Sequence, residues 1–237
     1  MSQVYQCQSA CAIIHNAYNY VLDRAEMDSV GQQHRGEPVF DFKRCSTPGC
    51  DATALSDETH CAAHCSDGEA YTERVLASLE GVDTVKNLNI AGLRFQATDF
   101  SGKKFYSCSF SRGMFKNVTF SGCVFRMCFF DFCDMDSCDF SGIDAQFCSF
   151  AGSRMLNGSF ENSELIHNNF DGIRASSCTF NYSNLYNSRF IMAEFDKTDF
   201  IDCNMKKAFF VMTSEKDVSW KFSNVEEAIR DLERLDL

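Results

Sequence analysis

A period of five residues runs through more than half of this 237-residue chain and restricts its fold more than any other feature. From Ile90 to Phe210, every residue whose number is a multiple of five is apolar, without a slip in register. An α-helix repeats every 3.6 residues and a strand every two, so neither produces this pattern. The pattern predicts a solenoid in which one apolar side chain in every five, here called the centre of a repeat, points into the core.

The position two residues before each centre favours small side chains. Serine, threonine and alanine recur there, and all eight cysteines after residue 100 share this position: Cys108, Cys123, Cys128, Cys133, Cys138, Cys148, Cys178 and Cys203. Because these cysteines have one inward phase in common, we expect them to pack as small hydrophobic groups rather than to form disulfides.

A longer period of twenty residues is superimposed on the period of five. Centres 100, 120, 140, 160, 180 and 200 are all Phe, and so are centres 110, 130, 150, 170, 190 and 210. Gly102, Gly122 and Gly142 also recur at intervals of twenty, as expected where a chain turns a corner with positive φ. Twenty residues therefore form one coil with four sides.

At this level the sequence resembles the pentapeptide-repeat family, whose loose consensus is a small residue, a polar residue, Leu or Phe, and two variable residues. The clearest matches are Cys138-Asp139-Phe140-Ser141-Gly142, Thr198-Asp199-Phe200 and Ser183-Asn184-Leu185. The resemblance implies a mainly β protein: a right-handed quadrilateral β-helix over residues 83–213, with Phe ladders inside and helical N- and C-terminal caps. Members of the family share an architecture rather than a chemistry, so the resemblance implies no activity.

The segments outside the repeat are predicted to be caps. Within residues 1–82, a helix is expected over Glu69 to Glu80 with Asp67 as its N-cap, and a longer one over about Ser9 to Met27. Within residues 214–237, a helix is expected from Val225 to about Leu235. Two interpretations of that last helix remain open: a lid on the final coil, or a contact for a homodimer, as the resemblance implies.

A cluster of cysteine and histidine residues between positions 45 and 65 predicts a metal site. Cys45, Cys50, Cys61 and His64 have the spacing C-x4-C-x10-C-x2-H, which resembles small zinc knuckles. Thiolate and imidazole ligands suit tetrahedral zinc, and four protein ligands make a closed, structural site. His60 and Cys65 compete for the same role, so the exact ligand set stays open at this point.

Sorting the outward positions by side exposes one apolar stripe on the predicted solenoid. On the side centred at 105, 125, 145, 165 and 185, successive coils present Tyr106, Met127, Phe147, Ile166 and Tyr186. Such a stripe marks an interface with a protein partner, unless the N-terminal helix lies over it. Both interpretations remain open from the sequence.

Composition and motifs favour a binding protein over an enzyme. The sequence has no Gly-rich phosphate loop, nucleophile elbow or His-Glu metalloprotease motif. The net charge of −11 is concentrated in the end segments, so no basic footprint for direct nucleic-acid binding is present. The sequence shows no secretory signal and no membrane-spanning run, so we expect a cytoplasmic protein with reduced cysteines and no membrane contact.

The function predicted from the sequence is therefore that of a non-enzymatic scaffold that binds a protein through the surface or the ends of the β-helix. Two alternatives come from the resemblance: a DNA mimic that modulates a type II topoisomerase, and a bacterial effector that acts on a host protein. DNA mimicry needs a strongly negative rod, whereas residues 83–213 carry a net charge of only −1.

Overall fold

Each repeat forms one short rung of a four-sided solenoid, because its centre points inward and the residue two positions later turns the chain. The computed structural model describes residue 40 and residues 42–231, all within the compact unit Val39–Leu237. One α-helix, α1 (Gly68–Leu79), precedes the solenoid. The strands are β1 (Thr84–Lys86), β2 (Arg94–Gln96), β3 (Lys104–Tyr106), β4 (Met114–Lys116), β5 (Val124–Arg126), β6 (Asp134–Asp136), β7 (Asp144–Gln146), β8 (Arg154–Leu156), β9 (Glu164–Ile166), β10 (Arg174–Ser176), β11 (Glu194–Asp196) and β12 (Ser214–Lys216).

The strands form two parallel sheets on opposite sides of the solenoid. Face 1 consists of β1, β3, β5, β7 and β9, and face 3 of β2, β4, β6, β8, β10, β11 and β12. Pairing joins residues that are one coil apart, as in Phe105 with Phe125. Face 2 (centres 90 to 210) and face 4 (centres 100 to 200) are held by single parallel bridges, such as Ser109 with Phe129 and Asp99 with Thr119. The predicted β-solenoid with four sides is confirmed.

Every corner of the solenoid uses the left-handed backbone conformation. The second residue after each centre has a φ between 49° and 79° at all positions from Asn87 to Phe222. The three glycines predicted to turn corners, Gly102, Gly122 and Gly142, do so with φ of 72°, 66° and 65°. Most corners carry other residues, however, and Asn and Ser tolerate this conformation better than branched side chains do. The left-handed conformation at the corners is therefore a requirement of the four-sided coil and does not depend on glycine.

Two ladders of stacked Phe rings fill the core. On face 2, rings from Phe110 to Phe210 stack at centroid distances of 4.4–5.0 Å. On face 4, rings from Phe100 to Phe200 stack at 4.7–5.2 Å. The ladders meet edge to face, as in Phe140 against Phe150 at 5.8 Å, which is the favourable arrangement for aromatic pairs.

The small residues before each centre do more than fill space. All eight solenoid cysteines are buried free thiols, as predicted. Seven of the eight Sγ atoms also donate to a backbone carbonyl of the previous coil, as Cys123 does to Phe100 at 2.9 Å, whereas Cys148 donates to Gln146 O of its own coil at 3.4 Å. Serine at this position does the same and accepts as well: the Ser153 hydroxyl donates to Phe130 O at 2.6 Å and accepts from Cys133 N at 2.8 Å. These side chains thus satisfy backbone groups between coils.

The C-terminal end differs from the prediction of a helix from Val225 to about Leu235. Residues Val225–Glu227 form a single 3₁₀ turn, and Ile229 then pairs with Phe209, so the solenoid continues past residue 213 to complete another coil. The prediction is wrong up to residue 231, and residues 232–237 lie outside the described part. The apolar residues that suggested a helix also fit the five-residue register, since Ala228 is buried in the small position.

An ionic and aromatic lid closes this last coil. The Trp220 ring stacks on Phe200 at 4.5 Å and meets Phe210 edge to face at 5.1 Å. The Arg230 guanidinium lies 4.9 Å from the Trp220 ring and forms an ion pair with Glu215. Glu215 also accepts from the indole N–H of Trp220 at 3.2 Å. This arrangement protects the end of both Phe ladders from water.

The N-terminal cap is helical, as predicted. Asp67 is the N-cap of α1, since its side chain accepts from Ala70 N at 2.9 Å. Tyr71, Val75 and Leu79 lie on one side of α1 and are buried in the same hydrophobic cluster as the solenoid core. The helix predicted over Ser9 to Met27 lies outside the described residues.

Candidate metal centre and aromatic ridge

The structure brings together the four residues predicted as metal ligands. One ligand atom from each of Cys45, Cys50, Cys61 and His64 lies within 4.8 Å of all the others. Cys50 Sγ is 3.9 Å from Cys61 Sγ, and His64 Nδ1 is 3.4 Å from Cys61 Sγ and 3.5 Å from Cys45 Sγ. Since the structure contains four soft or borderline donors around one point, this cluster could hold a metal ion.

These distances agree with a tetrahedral site rather than with disulfides. Zinc–sulfur bonds of ~2.3 Å and zinc–nitrogen bonds of ~2.0 Å place two sulfurs ~3.8 Å apart and a sulfur and a nitrogen ~3.5 Å apart. A disulfide would need ~2.05 Å between sulfurs, much less than the 3.9 Å between Cys50 and Cys61. The donor set and these three distances therefore suit a tetrahedral metal ion such as zinc.

Local turns set this geometry. The Cys45 amide donates to Ala52 O at 2.9 Å, and Gly49, at φ of 78°, turns the chain between Cys45 and Cys50. The amides of His64 and Cys65 both donate to Cys61 O, which places His64 beside Cys61 on one helical turn. Short-range hydrogen bonds thus hold the two halves of the cluster.

The polar environment favours thiolate at one position. Burial acts to raise the pKa of Cys45, but hydrogen bonds from the Cys61 N–H and from Thr47, with His64 nearby, outweigh it and lower the pKa to about 5. The Ala52 N–H acts to lower the pKa of Cys50, but burial and the neighbouring thiols of Cys45 and Cys61 raise it overall. Without a cation the cluster therefore accommodates one thiolate more readily than two.

The two competing ligands lie outside the cluster. His60 Nδ1 is 2.9 Å from the hydroxyl of Thr59, its neighbour in the chain. Cys65 is partly buried against the hydrophobic core. The structure thus groups Cys45, Cys50, Cys61 and His64, without His60 or Cys65, as residues that could hold a metal ion.

The segment that carries these ligands is joined to the first coil through a buried asparagine. The Asn89 backbone N–H donates to the Ser56 hydroxyl oxygen at 2.8 Å, and the Ser56 N–H donates to Asn89 O at 3.0 Å. The Asn89 side chain donates to Ala54 O at 2.5 Å, and the Tyr71 hydroxyl donates to Ser56 O at 2.7 Å. Ser56 therefore pairs with the first rung of face 2 as a preceding coil would. No feature of the period of five predicts this contact.

The predicted apolar stripe is divided between a corner and a strand edge. Met127, Phe147 and His167 occupy the same corner in three successive coils, where Met127 is 39% and Phe147 58% exposed. The Phe147 ring stacks on the His167 ring at 5.1 Å with an interplanar angle of 4°, and His167 meets the Tyr186 ring at 5.8 Å. We call Met127, Phe147, His167 and Tyr186 the aromatic ridge.

The remaining two stripe residues lie beside the ridge. Ile166 is half-buried between Gln146 and Tyr186 on face 1. Tyr106 is one coil further from the ridge, where Arg126 pairs with it in register and the Lys86 ammonium lies 5.9 Å from its ring. The sequence places His167 only beside the stripe, whereas the structure stacks it on Phe147 at the same corner, within the ridge.

Comparison with known proteins supports the fold. Residues 115–146 match the sequence model "Pentapeptide repeats", with eight copies of the repeat. The chain carries pentapeptide repeats. The hydrogen-bonded coils on either side of that segment keep the same register, so the pentapeptide-repeat solenoid extends well beyond the matched residues.

Three solved structures match this chain at low sequence identity and low TM-score. HetL, involved in heterocyst differentiation regulation in the cyanobacterium Nostoc sp. strain PCC 7120, is 10% identical; the match covers 67% of this chain and 96% of HetL, with a TM-score of 0.34. Full-length QnrB1, a plasmid-mediated fluoroquinolone resistance protein, is 13% identical over 63% of this chain and 92% of QnrB1, with a TM-score of 0.26. A protein of the Arabidopsis thaliana thylakoid lumen is 18% identical over 54% of this chain and 71% of its own, with a TM-score of 0.24.

No curated protein matches the sequence significantly. Within the described residues, no helix combines the length and the apolar character that crossing a membrane requires.

Proposed function

We propose that this pentapeptide-repeat protein is a non-enzymatic scaffold that docks a protein partner on the aromatic ridge. The observation that carries the proposal is the exposure of Phe147, which is 58% exposed while the centres on either side of it are fully buried. Aromatic residues and methionine are enriched in the buried parts of protein interfaces. Covering this corner would remove from water the most exposed ring among the described residues of face 1.

The ridge is ordered before any partner binds. Stacking fixes the Phe147 ring against His167, and Asn187 Nδ2 lies 2.7 Å from His167 Nδ1, which holds the imidazole in place. The Lys207 ammonium lies 5.7 Å from the Tyr186 ring at the end of the ridge. Rings that are already immobilised lose little conformational entropy on binding, which favours affinity.

The test is site-specific photo-crosslinking in extracts of the source cells. A photoreactive phenylalanine analogue is placed at Phe147 and, as the matched control, at Tyr182, which is 53% exposed on a different corner. We expect a discrete crosslinked partner from position 147 that position 182 does not give, and its loss in competition with unlabelled wild type but not with unlabelled Phe147→Asp. Equal crosslinking from both positions contradicts the ridge as the docking surface.

The same experiment separates the alternative functions. A topoisomerase as the crosslinked species would favour the DNA-mimic hypothesis, and a host protein would favour the effector hypothesis. No observation on the described residues singles out either one, and the carboxylate of Asp134 on face 3 is neutralised by Arg154 at 2.6 Å.

We further propose that the metal held by the Cys45–His64 cluster is structural zinc, which stabilises the N-terminal cap. The cluster has four protein donors, so no position is left open for a substrate, and zinc bound to such a site contributes folding free energy. Native mass spectrometry should show one zinc per chain in the wild type and in Cys65→Ser. Cys61→Ser should lose it; retention of zinc in Cys61→Ser would refute the ligand set.

A further inference from the structure

A groove at the N-terminal end of face 3 forms a second candidate surface, separate from the aromatic ridge. Its volume is about 860 Å³, within the range of ligand-binding clefts. One wall is the side of α1 that carries Glu69 and Glu73. The other side is β2 (Arg94–Gln96), followed by Met114 and Lys116 of β4.

The strand in this groove has a free edge. β2 is the terminal strand of the seven-stranded sheet and pairs with β4 alone. Leu93 O accepts from Met114 N at 2.9 Å and Ala97 N donates to Lys116 O at 2.9 Å, so the alternate residues Arg94 and Gln96 direct their backbone groups away from β4. In the later coils of face 3 the residue aligned with Arg94 donates its N–H to the preceding coil, as Arg154 does to Cys133 O.

No described residue takes that role for Arg94. Its backbone N–H has no acceptor among the described residues, and the Gln96 carbonyl accepts only the Thr98 hydroxyl, at 3.2 Å. The N-terminal cap instead supplies hydrogen bonds to the backbone of the neighbouring face 2, where Ser56 pairs with Asn89. An exposed edge of this kind is a template for pairing with another extended chain.

The charge of the groove indicates which chain would fit. Within the described residues, the Arg94 guanidinium has no carboxylate partner, although the aligned Arg154 binds both oxygens of Asp134 from the preceding coil at 2.6 and 2.8 Å. If a strand were added before β2 in the same register, an acidic residue at its position aligned with Arg94 would lie beside the Arg94 guanidinium. Its next residue would point inward toward Phe95, which lines the groove but is only 3% exposed, so the space there suits a small side chain. Glu69 and Glu73 on the opposite wall disfavour further acidic residues.

We propose that β2 binds an extended peptide of a partner protein as an additional parallel strand, with the order acidic residue, small apolar residue, uncharged polar residue. The main-chain hydrogen bonds would supply affinity and the Arg94 ion pair would fix the register, as in other cases of strand addition to a sheet edge. The solenoid itself contains such a strand in β7 (Asp144-Ala145-Gln146).

The probe is therefore a fluorescein-labelled peptide that copies residues 141–147, Ser-Gly-Ile-Asp-Ala-Gln-Phe, titrated with the full-length protein and followed by fluorescence anisotropy. We expect saturable binding that weakens about tenfold or more with Arg94→Glu. A peptide with Lys in place of its Asp should bind Arg94→Glu better than it binds the wild type. Methylation of the backbone nitrogen of the peptide's Phe, aligned to donate to Gln96 O, should also weaken binding.

The matched control is Arg174→Glu, an exposed arginine at the same position of face 3 four coils along, where the sheet edge is not free. Equal loss of binding in Arg174→Glu would attribute the effect to net charge and overturn the proposal. Failure of the wild type to bind the probe would also overturn it. So would sedimentation showing that the wild type self-associates and Arg94→Glu does not, since a second copy would then occupy the edge.

Discussion

Phe150 and Phe147 are only three residues apart, yet the structure predicts opposite consequences when each is replaced by alanine. Phe150 is fully buried, stacked between Phe130 at 4.8 Å and Phe170 at 5.0 Å. Phe147 is mostly exposed and stacks only on His167. Comparing Phe150→Ala with Phe147→Ala therefore tests whether the stacked rings of the core stabilise the fold.

The magnitude follows from what each ring loses. Truncation of a buried Phe to Ala costs about 3–5 kcal/mol, and each aromatic contact adds about 0.5–1.5 kcal/mol beyond burial. Phe150 also meets Phe140 and Phe160 edge to face, so we expect a loss at the upper end, about 5 kcal/mol. For Phe147→Ala we expect about 1 kcal/mol or less, because one exposed stack is lost.

Urea unfolding followed by far-UV circular dichroism measures both values. Trp220, the only tryptophan, reports separately on the last coil through its fluorescence. At 2–4 °C per kcal/mol for a chain of this size, Phe150→Ala should lower Tm by roughly 10–20 °C. A cost below about 2 kcal/mol, or one no greater than that of Phe147→Ala, would refute the ladder as the main source of stability.

Three further predictions address the small positions, the C-terminal lid and the N-terminal cap. Ellman's reagent at pH 8 should leave all eight solenoid cysteines of the native protein unmodified, because they are buried and burial raises, for example, the pKa of Cys123 to about 12. All eight should react in guanidinium chloride, and rapid native labelling of any cysteine from Cys108 onward, located by peptide mass spectrometry, would contradict their placement. Trp220→Ala should lower the free energy of unfolding by about 2–4 kcal/mol, whereas Phe222→Ala, at a residue that is 85% exposed, should change it by less than about 0.5 kcal/mol; equal effects in thermal unfolding would argue against the lid. Burial raises the pKa of Tyr71 to about 12, above its ordinary value of 10, so its contribution is complete below pH 10 and is lost as pH rises toward 12; Tyr71→Phe should be less sensitive to pH in that window when stability is measured by denaturant titration.

The repeat architecture could be predicted from the sequence because its cause is periodic. Each coil meets the next in register, so the side chains at residues 110 and 130 have the same environment, and the pattern of Phe reports that environment directly. The cluster of Cys45, Cys50, Cys61 and His64 could be predicted because sulfur and imidazole donors are chemically distinctive. The choice between His64 and His60 needed the turn at residues 61–65, which spacing alone does not determine.

The ends of the solenoid could not be predicted because their contacts are not periodic. The last coil places the charged residues Glu215 and Arg230 at centre positions, so the apolar period ends in the sequence before the solenoid ends in the structure. At the other end, the pairing of Ser56 with Asn89 joins residues from the cap and the first coil. Each of these contacts occurs once and covers one end of the solenoid, so no repeated pattern in the sequence predicts it.

The conformation of the corners gives a physical argument for the role that we propose for the aromatic ridge. Every corner adopts the left-handed conformation, which costs an ordinary residue about 1–2 kcal/mol and costs glycine almost nothing. Gly142 and Gly152 show that this solenoid accepts glycine at corners close to Phe147. A large ring at a corner adds solvent exposure to that conformational cost, and folding alone gains little from it. The stacking of Phe147 on His167 offsets only part of both costs, and this imbalance is the physical reason for our proposal that a partner docks on the ridge.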